Sequence, residues 1–125
     1  MKHLVKFLLL ATVVLSISSC EKQTHQKLIG KWKLYIGENK GYEEYWTFTE
    51  TSVARSLVFP DTTYVANDGT YEMKGAKKFS IVGANSGMNG VEYFRGDWNI
   101  ESIDSKSLIL NRQIEGLMYN EFEKK

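Results

Sequence analysis

The sequence predicts an all-β chain, an eight-stranded antiparallel up-and-down barrel that follows a cleaved leader. Three observations predict it. Apolar and polar residues alternate at a period of two, turn residues break the alternation at short intervals, and past residue 19 no stretch has the amphipathic pattern of a ten-residue helix. The 125 residues suffice for one domain, and 42% hydrophobic with 13% aromatic residues suffices for one packed core. With 16 basic and 15 acidic side chains the formal charge is +1, which excludes the footprint of a nucleic-acid binder.

Residues 1–19 read as an address. Lys2, His3 and Lys6 form a short basic start, Phe7 to Ile17 is almost unbroken apolar, and Ser18-Ser19 precede Cys20. The apolar run is too short to span ~30 Å of hydrocarbon as a helix. Ile17-Ser18-Ser19-Cys20 resembles the lipobox of bacterial lipoproteins. That resemblance implies cleavage before Cys20, a diacylglycerol on its thiol, a further acyl chain on its new amine, and a place in the cell envelope. Several chains, at ~0.8 kcal/mol per buried methylene, hold a protein on a membrane where one would not. The alternative is an ordinary secreted protein whose one cysteine falls at the cleavage point. Glu21 to Lys27 has no apolar residue, so 20–27 is expected to be a solvated tether after the lipidated cysteine. In the lipoprotein family an Asp after the cysteine marks inner-membrane retention; Glu21 stands there instead, which favours the outer membrane.

The barrel domain is expected over 28–125. Leu28 to Ile36 opens it by alternating with Ile29, Lys31, Lys33 and Tyr35, and Trp46 and Phe48 carry the second strand. Val53 to Phe59, Thr70 to Lys74, Lys78 to Gly83, Val91 to Ile103, Ser107 to Arg112 and Leu117 to Lys124 supply the other six. An eight-strand meander hides its edges by closing. Thr62 to Ala66 is ambiguous: Pro60-Asp61 either ends the third strand or kinks a longer one that turns at Asn67-Asp68-Gly69.

Gly30-Lys31-Trp32 at the start of the first strand looks like the Gly-x-Trp that opens the lipocalin barrel. With Phe48-Thr49 closing strand two and Gly69-Thr70-Tyr71 opening strand four, Leu28 to Lys125 resembles the lipocalin-like domains of small bacterial lipoproteins, many of them from Bacteroidota. The chain is shorter than a lipocalin and lacks the disulfide and trailing helix. The resemblance implies structural roles for Gly30, Trp32 and a basic side chain from the end of the last strand, and position makes that Lys124.

In such a meander the links at 37–42, 60–69, 84–90 and 113–116 share one rim, a mouth facing away from the tether, while the short links at 50–52, 74–77 and 104–106 share the other. A small apolar or amphipathic ligand entering the mouth is expected to meet Trp46, Phe59, Tyr71 and Trp98, with Arg55 and Arg112 as anchors for a carboxylate. Arg55 shares its face with Val53, Leu57 and Phe59, so inside the barrel it needs a ligand carboxylate or a neighbouring glutamate, unless a bulge turns it outward. The other reading is a filled barrel that displays Tyr42 to Tyr45 and the 85–90 loop to an envelope protein. Catalytic residues, a metal site and cofactors are not expected: the only histidine past the leader is His25, Glu43 and Glu44 are adjacent and face opposite sides as solvated strand-start residues, and Asn67-Asp68-Gly69 lacks the further carboxylates of a calcium loop.

Overall fold

The structure, a computed structural model, describes residues 20–36, 41–83, 93–113 and 116–125. Residues 1–19, including Ile17-Ser18-Ser19, together with 37–40, 84–92 and 114–115, lie outside the described residues. Eight strands form one closed antiparallel barrel in which each pairs with its sequence neighbours and the last returns to the first. They are β1 (Gly30–Leu34), β2 (Glu43–Phe48), β3 (Ser52–Val58), β4 (Thr63–Met73), β5 (Lys78–Ile81), β6 (Gly96–Ile103), β7 (Ser107–Gln113) and β8 (Leu117–Lys124). Closure sets Trp32 opposite Lys124 and Leu34 opposite Phe122. The barrel is therefore complete within 30–124.

The expected tether is helical over 20–28. Its polar residues stay at the surface, and Leu28, expected in the first strand, ends the helix fully buried beneath the barrel. The helix approaches the rim through His25, whose Nε2 lies 2.8 Å from the Glu50 carbonyl and 3.0 Å from the Tyr71 hydroxyl.

Two bulges interrupt the alternation. In β4 the register against β3 shifts between Arg55 and Ser56, so that Ala66 is the extra residue and Ala66 and Asn67 are buried side by side. The segment 62–66 is thus mostly strand, and Asn67-Asp68-Gly69 is not a turn but the middle of β4. The hairpin turns instead around Pro60-Asp61, where Phe59 N donates to Thr62 O at 2.7 Å. Turn-forming residues lose here to tertiary pairing, since Asn67 receives a hydrogen bond from Arg55 that a solvent-exposed turn could not provide. The second bulge, at Glu101 in β6, moves the inward face from Ile100 to Ile103.

Aromatic side chains fill the interior. Trp46 makes edge-on contacts with Phe94, Trp98 and Phe122 at 5.2, 5.3 and 5.2 Å between ring centroids. Phe48 does the same with Tyr71 and Phe79. Such edge-to-face pairs add ~0.5–1.5 kcal/mol each beyond the area they bury.

Candidate functional site

The two ends of the barrel carry the same device. At the base, Trp32 is fully buried, its Nε1 donates to the Leu28 carbonyl at 2.8 Å, and the Lys124 ammonium lies 4.5 Å from its ring. At the mouth, Trp98 is fully buried, its Nε1 donates to the Phe94 carbonyl at 2.8 Å, and the Arg112 guanidinium lies 4.5 Å from its ring. The cation in each case comes from the neighbouring strand and also caps two carbonyls. Lys124 Nζ donates to Ile29 O (2.6 Å) and Lys27 O (3.4 Å), one and three residues before Gly30. Arg112 donates to Arg95 O (2.9 Å) and Tyr93 O (3.3 Å), one and three residues before Gly96.

Both glycines hold a backbone conformation that strains any other side chain. Gly30 and Gly96 have φ of 136° and 106°, and a Cβ would stand 2.3 Å from Lys124 Nζ or 3.0 Å from one Arg112 nitrogen. Gly96-Asp97-Trp98 therefore repeats Gly30-Lys31-Trp32 in geometry as well as in letters. The expected partnership of Lys124 with Trp32 is present, whereas Arg112, expected as a ligand anchor, is the corresponding cation of the mouth. Burial holds both cations below their ordinary pKa.

The residues expected to bind a ligand do not converge. Trp46 and Arg55 line an open cleft of about 230 Å³ at the mouth, together with Leu34, Glu44, Tyr93, Phe94, Met118 and Asn120. Phe59 stacks on Tyr64 (5.8 Å, 9° between planes) and touches Tyr42, outside that lining. Tyr71 lies at the opposite end: its hydroxyl donates to Thr49 O at 2.6 Å, in the tight link at the base. Burial, and then the charge of Glu50, push its pKa up to about 12. Trp98 closes the mouth rather than lining the cleft.

Arg55 points inward, and the bulge across from it does not turn it to solvent. Its partner is Glu44, 3.0 Å away, and it also donates to Asn67 Oδ1 at 2.8 Å. Glu44, expected to be solvated, is buried, and its second oxygen accepts from Trp46 Nε1 at 2.9 Å. Buried Glu44 and buried Asn67 are thus bridged by the half-buried Arg55 between β2, β3 and β4, while among the described residues Asn67 Nδ2 has no partner. Such a carboxylate is held because losing either partner leaves a buried charge uncompensated. Composition hid it, since Glu43-Glu44 differ only in parity: Glu43 remains outside and receives hydrogen bonds from Tyr45 and Lys33, in that order the main causes that lower its pKa.

Among the described residues, no three His, Cys, Asp or Glu side chains gather as a metal-ion set. Cys20 is exposed and unpaired at the start of the helix. No family model, curated protein or solved structure matches the chain.

Proposed function

We propose that the chain is a lipid-anchored protein of the cell envelope whose barrel is a filled scaffold presenting its mouth rim to a protein partner. The observation that carries this reading is where exposed apolar surface lies. Tyr35, Tyr64, Val65, Val82, Tyr93, Leu117 and Tyr119 are exposed at the mouth half, and of the large hydrophobics exposed among the described residues only Ile29 is at the base. Apolar side chains gathered at one end, beside an interior already occupied by aromatic rings, suit a contact surface better than a carrier. The cleft falls below the ~300 Å³ at which ligand pockets begin, and Arg55 is already neutralised by Glu44.

Photocrosslinking in intact cells tests this. A crosslinker at Tyr64 or Tyr119 is expected to give a discrete adduct, one at Lys77 of the base none, and Leu117→Lys is expected to abolish the adducts without changing thermal stability. Adducts from Lys77 alone, or none anywhere, would overturn it.

A second reading has its own observation: the Arg55 side chain keeps 23% of its surface exposed beside the cleft, so a small amphipathic molecule could rest there. Saturable quenching of tryptophan emission by fatty acids, lost in Arg55→Ala, would favour that reading over display.

A further inference from the structure

Charge is distributed as unevenly as apolar surface. Lys27, Lys31, Lys106, Lys124 and Lys125 meet at the base where β1, β7 and β8 come together. Lys124 N donates to Lys106 O at 2.8 Å, Lys125 N donates to Lys31 O at 2.9 Å, and Lys124 Nζ reaches Lys27 O. The first two contacts set a lysine across the ladder from another lysine, an arrangement that weakens a sheet.

Lys124 turns its ammonium inward, onto Ile29 O and the Trp32 ring, but the other four are exposed. The acids beside them compensate little. Asp104 spends its carboxylate on Lys106 N, Ser107 N and the Ser107 hydroxyl, Glu123 pairs with Lys125 at 3.6 Å, and Glu43, itself paired with Lys33, also acts on Lys125. Lys31 lies over the Tyr45 ring at 4.4 Å. Glu21, Glu50 and Glu72 border a different cleft, shared with His25 and Tyr71. One side of the base is therefore a cationic patch in which, among the described residues, Lys125 is paired but Lys27, Lys31 and Lys106 have no carboxylate in ion-pair contact.

We infer that this patch seats on the phosphate headgroups of an anionic lipid surface. The inference rests on the reading that Cys20 is acylated, because the helix over 20–28 leads from that residue to this rim and would bring the patch against the membrane. A lysine near an anionic surface strengthens partitioning about fivefold, so three removed together weaken it on the order of a hundredfold.

Residues 20–125 with Cys20→Ser contain the whole barrel and no acyl chain, so cosedimentation with vesicles measures charge alone. Binding is expected to phosphatidylcholine vesicles containing phosphatidylglycerol and not to phosphatidylcholine alone, weakening with salt. The triple variant Lys27→Gln, Lys106→Gln, Lys125→Gln is expected to lose it with its melting temperature kept or raised. Equal binding to both vesicles, binding to neither, or a triple variant that binds like the parent would overturn the inference. So would displacement by inorganic phosphate at constant ionic strength, which would mark a site for a free anion. Labelled palmitate fed to cells making the full chain tests the anchor separately: an unlabelled chain whose barrel still binds anionic vesicles would remove the anchor reading alone.

Discussion

At the base, a tryptophan follows a glycine of positive φ and lies beneath a lysine; at the mouth, a tryptophan follows another such glycine and lies beneath an arginine. Their hydrogen bonds correspond residue by residue, yet their surroundings differ. The base plug continues into a helix whose Leu28 is buried under the barrel, and its lysine meets two carbonyls and a ring. The mouth plug borders the open cleft through Phe94, and among the described residues Arg112 Nε is buried with no partner. An unpartnered buried donor costs ~1–3 kcal/mol. The same local device is thus the tighter closure at the base, where the helix enters, and the looser one at the mouth.

The largest expected effect would establish or break the equivalence. Trp32→Ala and Trp98→Ala are each expected to destabilise by ~3–5 kcal/mol, the range for truncating a buried aromatic, as read from urea unfolding. A Trp98→Ala loss under about 1 kcal/mol would mean that the mouth is not plugged as the base is. Exchanging the cations sharpens the difference. Lys124→Met removes a cation over an indole, worth ~0.5–1 kcal/mol, together with its carbonyl contacts. Arg112→Met removes the same kind of contacts but also the unpartnered Nε, so it is expected to cost less than Lys124→Met in the same unfolding assay. A larger cost for Arg112→Met would reverse the ranking of the two ends.

The last effect concerns pH, shows only in alkali, and belongs to the base. The Tyr71 phenol has its pKa raised from 10.0 to about 12 by burial and then by Glu50. Between those values the unfolded chain releases a proton that the folded chain keeps, so this contribution is present below about pH 10 and lost as pH rises toward 12. Tyr71→Phe is expected to flatten that part of the stability curve. An unchanged alkaline limb would show that Tyr71 titrates as a solvated phenol.

Much of this was legible from alternation. Period two marked all eight strands; the resemblance to lipocalins implied a basic side chain over Trp32, and counting strand directions made Lys124 the candidate and put Arg112 at the far rim. Tyr71 was placed on the correct face but at the wrong end, for one reason. Reading Asn67-Asp68-Gly69 as a turn shortened β4, whereas an eleven-residue strand at ~3.3 Å per residue carries Tyr71 across the barrel to its base. A bulge inserts one residue without a compositional mark, so neither Ala66 nor Glu101 announced itself. Glu44 was missed because a carboxylate reads as solvent-facing until its guanidinium and indole partners are known. The mouth plug was the one omission with a visible signal: Gly96-Asp97-Trp98 repeats Gly30-Lys31-Trp32, and a comparison of the chain with itself would have found it.

The pairing of β1 has a mechanical consequence. β1 starts at the base, runs away from it, and is bonded on one side to β2 through five register pairs and on the other to β8 through three. A pull on residue 20 directed away from the barrel therefore acts along β1, so the hydrogen bonds on both flanks resist together in shear instead of opening one after another. The rupture rate under load, rather than equilibrium stability, then governs how long the barrel stays whole under such a pull. The lysine over Trp32 sits in the register pair of the β8 flank nearest the pulled end.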